Sequence, residues 1–395
     1  MNSRLLADNV HYIGVNDRET ALFESLIPIP EGVSYNSYLI DDDKVALIDT
    51  VKIDFNDTYM SKIKRIIGER QVDYLIINHM EPDHAGCIQT LVEAYPNIQI
   101  VGNKKTASFL QGFYGVSEQV VLVQEQDTID LGKHQLSFYI TPMLHWPETM
   151  MTYEKNQKIL FSGDAFGGFG TLNGGIFDDQ LPFSYYENEM RRYYANIVGR
   201  YSDMVQRALQ RLSELEIKQI AATHGIIWRQ NPQTVLELYD RWSKQETELG
   251  AVIAYGSMYG NTKAMAESLA TLLSESGIEQ IRIYDAARAD VSYIMSDIWK
   301  YNIVLLGSST YNGGLFPPMT KLLAKIENSK MKNRYYGAFG SYSWSGESVK
   351  LLKEAGERGK MDFVEPVVQV MFAPNDDTYQ SSKQLVNNII DQLNK

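Results

Sequence analysis

The sequence predicts an α/β protein built in two parts: a two-sheet core with outer helices, then a doubly wound parallel sheet. Three observations predict it. Short apolar runs bounded by turn residues far outnumber helical patterns up to about residue 180. After Trp242, strand and helix patterns alternate regularly, as βαβ units do. The chain has 395 residues, enough for two or three domains, and its 44% apolar content suffices for ordinary cores.

Taken in order, Tyr35–Ile40, Val45–Asp49 and Tyr74–Asn78 read as strands. Ile98–Gly102, Val120–Val123, Leu136–Thr141, Met150–Tyr153 and Ile159–Ser162 continue the series. Met60–Ile67, Gly86–Ala94 and Lys104–Tyr114 have helical spacing. The glycine-rich loop Gly167–Gly175 precedes a helical stretch from about Glu187 to Glu216, and the strand Gln219–Thr223 ends at His224. In the second part, the strand Ala251–Tyr255, the helix Lys263–Ser276 and the strand Ile281–Asp285 open the alternation. Ile303–Leu306, Pro318–Lys325, Tyr335–Phe339, Ser348–Ala355, Val367–Phe372 and a helix from Ser381 complete it. The charged stretch Lys244–Gly250 marks the boundary, giving domains 1–249 and 250–395. No internal repeat or low-complexity segment interrupts either part.

Composition excludes several classes. A formal charge of −12 argues against nucleic acid, whose phosphates need a basic footprint. The single cysteine, Cys87, rules out a disulfide within the chain and any centre held by several thiolates. It reads as a small buried residue on the helix after His84. Met1 to Val10 has no apolar signal core, and no run reaches the roughly 18 residues a membrane span needs. The expectation is a soluble, cytoplasmic protein.

Four of the six histidines fall in one spaced constellation. It comprises His79, Glu81, Asp83 and His84 in one loop, then His145, Asp164 and His224. Seven ligand candidates suffice for two metal ions. Each lies near the end of an expected strand, where loops meet on one face of a sandwich. The loop after Tyr74–Asn78 alternates His79, Glu81 and Asp83 toward one cleft, and His84 opens the following helix. Asp164 is the natural bridge, since two carboxylate oxygens can hold two metals roughly 3.5–4 Å apart. The order resembles the metallo-β-lactamase fold family, whose usual motif is His-x-His-x-Asp-His. Here Glu81 replaces the second histidine. Imidazole suits zinc, and added carboxylate suits harder, more highly charged ions. The alternative is a zinc hydrolase site with Glu81 a solvated loop carboxylate.

Three loops of the second part carry a different chemistry. Ser257, Met258, Tyr259, Gly260, Asn261 and Thr262 lie between a strand and a helix, where backbone N–H groups and hydroxyls meet a phosphate at the helix N-terminus. The loop has no lysine, so it is not the GxxxxGK[ST] nucleotide loop. It resembles the flavodoxin phosphate loop. Ser309, Thr310, Tyr311, Asn312, Gly313 and Gly314 follow the strand Ile303–Leu306. Ser341, Tyr342, Ser343, Trp344, Ser345 and Gly346 follow Tyr335–Phe339. Both sit where open α/β sheets bind ligands. Tyr311 and Trp344 read either as aromatics against a flat ring or as ordinary partly buried side chains.

Taken together, His-x-Glu-x-Asp-His in a lactamase-like domain and a flavodoxin-like domain behind it resemble the flavodiiron proteins over the whole chain. Contexts such as Tyr35-Asn36-Ser37-Tyr38 and Leu144-His145-Trp146-Pro147 extend the likeness. The resemblance implies an αββα metallo-β-lactamase-like sandwich joined to a doubly wound flavodoxin-like domain. It implies FMN and two iron ions. His79, Glu81, His145 and Asp164 would bind the iron nearer the flavin; Asp83, His84, His224 and bridging Asp164 would bind the other. It further implies reduction of O2 to water, of NO to N2O, or of both, in anaerobic or microaerobic cells. A head-to-tail homodimer, or a dimer of such dimers, would bring a partner's flavin against this chain's irons. With one cysteine, this chain carries no rubredoxin domain, so an external donor, first of all a rubredoxin, would supply electrons. Tyr193 and Tyr194 read as helix-packing aromatics rather than proton donors, and His11 and His134 receive no role. The competing readings are a zinc hydrolase fused to an electron-transfer domain and a gas sensor without turnover.

Overall fold

In the computed structural model, residues 4–394 are described. The chain divides into two compact units, one running to Asp240 and the other starting at Arg241. The division falls inside the helix Pro232–Lys244, ahead of the strand Glu248–Gly256 that contains the expected boundary.

Two sheets form the centre of the first unit. The seven-stranded sheet runs in the order Arg4–Ala7, Val10–Tyr12, Tyr38–Asp41, Val45–Ile48, Tyr74–Ile76, Gln99–Gly102 and Val120–Leu122. It is antiparallel as far as Val45–Ile48 and parallel beyond. The five-stranded sheet runs Thr128–Asp130, Gln135–Ile140, Met150–Glu154, Ile159–Gly163 and Gln219–Ala222. Successive strand residues point to opposite faces, so alternate positions meet between the sheets. Tyr38 and Ile40, Ala46 and Ile48 face Leu136 and Phe138, Ile159 and Phe161 in one buried cluster. The seven-stranded sheet's other face is also covered: the helix Asn56–Ile67 packs on Tyr38–Asp41, and Lys104–Tyr114 on Gln99–Gly102.

A six-stranded parallel sheet forms the second unit. Its order is Ile281–Asp285, Glu248–Gly256, Tyr301–Ser308, Tyr335–Tyr342, with Asp362–Phe363 and Val368–Met371 both pairing the last. Sequence order reverses between Glu248–Gly256 and Tyr301–Ser308. That is a topological switch point, beyond whose carboxyl edge such sheets bind ligands. Asn261–Glu275 and Asp376–Leu393 pack together, and Pro317–Ser329 packs against both Val291–Lys300 and Glu347–Arg358.

Several elements differ from the sequence expectation. Tyr35–Ile40 is two strands: Val33–Tyr35 pairs with Val15–Asp17, and Tyr38–Asp41 joins the large sheet. Asn36 and Ser37 break it because their backbones bond elsewhere, Asn36 N–H to Thr223 O at 2.6 Å and Ser37 O from Ile13 N–H at 2.9 Å. The helical stretch 187–216 is in fact Phe183–Tyr193, a π turn Tyr194–Val198, a 3-10 turn Gly199–Tyr201 and Ser202–Leu212. The last helix begins at Asp376, ahead of Ser381, because Asn375 and Thr378 form a reciprocal capping box there. Pro232–Lys244 and Val291–Lys300 are helices the sequence reading lacked. Val291–Lys300 is buried on nearly every side and so shows no polar face to betray helical period.

Candidate metal centre and flavin site

The strand Tyr74–Ile76 delivers the loop Asn78–His84 to the end of the sandwich. Asp49, at φ +52°, anchors it from below. Its carboxylate accepts from Asn78 N at 2.8 Å, Asn78 Nδ2 at 2.9 Å and His79 N at 3.4 Å. Pro82–Ala85 forms a single helical turn that contains His84, at a non-helical φ of −134°, rather than a helix that His84 opens. The next helix begins at Ile88, and Cys87 is buried beside it. His145, Asp164 and His224 arrive from the loops after Gln135–Ile140, Ile159–Gly163 and Gln219–Ala222.

All seven expected ligands converge, and Asp164 divides them. Its Oδ2 faces His145 Nε2 at 3.2 Å and His79 Nε2 at 3.8 Å. Glu81 Oε2 joins that side, 3.1 Å from His145 Nε2 and 3.3 Å from His79 Nε2. Asp164 Oδ1 faces His84 Nε2 at 3.1 Å and His224 Nε2 at 3.5 Å. Asp83 joins that second side, 3.4 Å from each of those nitrogens. Two sets of candidate ligands thus share one carboxylate.

These residues fit metal ions on the structure's own terms. His79 Nε2, His84 Nε2, His224 Nε2 and both Asp83 oxygens are buried with no hydrogen-bond partner among the described residues. A buried polar atom left unpaired costs about 1–3 kcal/mol. Five in one cluster indicate donors aimed at cations. The outer nitrogens confirm the direction. His79 Nδ1 bonds Glu148 Oε1 at 2.6 Å and His224 Nδ1 bonds Ser34 O at 2.8 Å, which leaves each Nε2 lone pair facing inward.

Charge is matched by pairing. Burial alone would lower the His79 imidazole, but Glu148 and Glu81 outweigh it and lift it to about 9. Burial likewise opposes protonation of His84, yet Asp83 and Asp164 raise it to about 9. At His145, Asp164 and Glu81 overcome burial and raise it to about 10. Despite burial, His84 and His145 hold Asp164 well below the ordinary carboxylate range.

Sequence spacing left out the groups behind the ligands. Besides Asp49 and Glu148, Thr223 Oγ1 donates to Asp164 Oδ1 at 2.5 Å. Glu24, from the hairpin Leu22–Phe23/Ile27–Pro28, places its carboxyl with Glu81 and His145. Burial, and then the Glu81 charge, push Glu24 up to about 7. No motif announced any of these, because each acts through the fold. Tyr194 does pack, with its hydroxyl on Ser202 at 3.1 Å. Tyr193 instead lies 5.8 Å from the His224 ring, and its buried hydroxyl has no hydrogen-bond partner among the described residues. His134 bonds Asp42 at 2.8 Å, outside this cluster.

In the second unit the three loops meet at the carboxyl edge of the sheet. Ser257–Gly260 links the strand Glu248–Gly256 to the helix Asn261–Glu275, whose first turn no side chain caps. Gly260, at φ +98°, turns the chain there. Thr262 Oγ1 and Ser341 Oγ lie 2.9 Å apart and tie the first loop to the third. Ser341 and Tyr342 prove to be the last residues of a strand, so only Ser343–Gly346 forms a loop. Thr310–Tyr311 and Gly314–Leu315 make a small hairpin whose turn residues, Asn312 and Gly313, both have positive φ. Ser309 Oγ is buried and unpartnered among the described residues. Tyr259 is 93% and Trp344 81% exposed, flanking these loops as aromatics that bury nothing of their own. Uncapped N–H groups, an orphaned hydroxyl and bare aromatics fit a phosphate joined to a flat ring.

Comparison with known proteins agrees domain by domain. Residues 33–225 match the ODP family beta lactamase model, and residues 253–384 the flavodoxin model. The chain is 33% identical to the nitric oxide reductase of Moorella thermoacetica over 385 residues, 96% of each chain. It superposes on the rubredoxin oxygen:oxidoreductase of the anaerobe Desulfovibrio gigas with a TM-score of 0.96, at 31% identity over 100% of this chain and 99% of that one. The flavodiiron protein of Giardia intestinalis gives a TM-score of 0.93 at 28% identity, covering 99% and 97%. With both domains matched and full-length relatives above 30% identity, this chain belongs to the flavodiiron protein family.

Proposed function

We propose that this chain is a flavin-dependent diiron reductase that converts O2 to water, NO to N2O, or both. The observation that carries the reading is the division of ligands across Asp164, one oxygen toward His79, Glu81 and His145, the other toward Asp83, His84 and His224. In this reading the first set would hold one iron and the second set the other, with Asp164 as the carboxylate common to both sets. The loops Ser257–Thr262, Ser309–Gly314 and Ser341–Gly346 hold FMN. Bound together, two ferrous ions and a reduced flavin supply the four electrons that take O2 to water, or the two that join two NO as N2O.

The protein's own contribution is position and exclusion. Glu148 fixes the His79 ring and Ser34 the His224 ring. Phe23, at 5.5 Å from His224, and Trp146, at 5.1 Å from His79, wall the cluster with apolar rings. The Tyr193 ring closes the same wall, 5.8 Å from the His224 ring. Electrons come from an external donor, for which rubredoxin is the first choice, since the Desulfovibrio gigas relative is described as acting between rubredoxin and oxygen. The exposed Tyr259 and Trp344 leave the flavin loops open to a second chain in a head-to-tail homodimer. No described helix is long and apolar enough to cross a membrane, in keeping with a cytoplasmic enzyme.

Metal and flavin analysis of anaerobically purified protein tests the reading. Two irons and one FMN per chain are expected. Asp164→Asn should lose both metals and all turnover while keeping its flavin. Two zincs from iron-replete cells, or turnover with metal retained in Asp164→Asn, would overturn it.

A further inference from the structure

The first unit contains a second concavity that none of the seven ligands lines. It is a cavity of about 670 Å3 beside the helix Asn56–Ile67. One part of its wall is apolar, with Val15, Leu172 and Ile176; another is cationic, with Arg4, Lys62 and Arg65. Among the described residues no carboxylate lines it, although the chain as a whole carries −12. Arg4 and Lys62 have no carboxylate within ion-pair distance among the described residues. The Lys62 ammonium donates only to the Gly14 carbonyl and lies 6.0 Å over the Tyr12 ring. Burial, and then the neighbouring Arg4 charge, pull Lys62 down to about 8. A half-buried ammonium held by a single carbonyl costs free energy that an incoming anion at Lys62 would return.

The cavity falls within the usual size range of small-molecule sites, roughly 300–1,000 Å3. Its two kinds of wall ask for two kinds of ligand surface. We propose that this cavity binds an anion-headed amphiphile, a carboxylate or phosphate on a medium-length apolar body, and that occupancy steadies the His224 loop. The coupling runs through Tyr12, which lines the cavity and whose hydroxyl donates to Asn36 Oδ1 at 3.1 Å. Asn36 Nδ2 in turn donates to Ala222 O at 3.0 Å and Gly225 O at 2.9 Å, on either side of His224. A ligand pressed on Tyr12 tightens that bracket.

Calorimetric titration of the iron- and FMN-loaded protein with octanoate and with octyl phosphate tests the binding. At least one should saturate; which one does identifies the head group. Octanol and inorganic phosphate should each bind at least about tenfold more weakly, a difference of about 1.4 kcal/mol. Lys62→Met should weaken binding about tenfold or more. Arg4→Gln, on an edge strand, should do the same without disturbing the Gly14 contact. Amide exchange in the segment 219–228 should slow at least twofold on saturation. The site falls if neither amphiphile saturates, if octanol or inorganic phosphate binds equally well, or if both variants bind like wild type. Binding with unchanged exchange in 219–228 would overturn the coupling.

Discussion

At residue scale, Glu148 decides which nitrogen of His79 faces the histidine–carboxylate cluster. Its carboxylate takes the Nδ1 proton at 2.6 Å and also accepts from Met80 N at 3.0 Å. Partners of this kind typically contribute 10–100-fold to metal affinity. Glu148→Gln is expected to lower iron affinity by about that range in a chelator competition. Unchanged affinity would make Glu148 a mere packing group. The histidines also make a pH prediction. Their ordinary value is 6.5, and in the folded chain His79 and His84 reach about 9 and His145 about 10. A raised folded value stabilises fully below the ordinary value and is lost as pH climbs through the raised one. Chelated protein should therefore melt at a lower temperature at pH 10 than at pH 7, and iron uptake at pH 7 should release protons. A flat melting profile over that window, or uptake without proton release, would contradict the pairing. The cluster of seven candidate ligands was legible because histidines and carboxylates at strand ends form a pattern along the chain. Glu148, Asp49 and Glu24 were not, because their roles depend on contacts across 69, 29 and 57 residues of sequence.

At the scale of elements, legibility followed amphipathicity. Strands with one buried face and one helix-covered face stood out as apolar runs. Val291–Lys300 did not, since a helix buried nearly all round offers no contrast. The break at Asn36-Ser37 was hidden for another reason: its cause is a backbone bond to Thr223. The turn at Ser257–Gly260 was legible because its glycine has a conformational duty. Gly260 stands at φ +98° ahead of the uncapped helix Asn261–Glu275, and a Cβ there would meet no atom within 4 Å. Substitution therefore costs backbone strain alone, about 1–2 kcal/mol for a residue forced to positive φ. Gly260→Ala should relax the turn, redirect the first N–H groups of the helix and weaken FMN binding several-fold in a fluorescence titration. The fold of the second unit should survive, because no clash accompanies the change. Full FMN affinity in this variant would show that the turn does not aim the phosphate donors.

Across the whole molecule, each unit owns a core and a ligand group. The sandwich packs Ile40, Ile48, Phe138 and Phe161 between its sheets, and the parallel sheet packs Ile253, Leu269, Leu305 and Leu385 on its own. The order of the two architectures was legible because the first half is rich in strands and the second alternates. The place where they divide was less so: the helix Pro232–Lys244 carries the division between Asp240 and Arg241, short of the charged stretch that ends at Gly250. Separate cores with separate ligands predict separable stability. A ligand that binds only the folded form stabilises it by RT ln(1 + [L]/Kd), about 4 kcal/mol at a thousandfold excess over Kd. Chelating the metals should lower the calorimetric transition of the first unit and leave that of the second in place. Extracting FMN should do the reverse. Under the same logic Asp164→Asn should shift only the first transition and Gly260→Ala only the second. If removal of either cofactor moved both transitions together, the two units would unfold as one cooperative body, and the division read from their cores would not describe how this chain is held together.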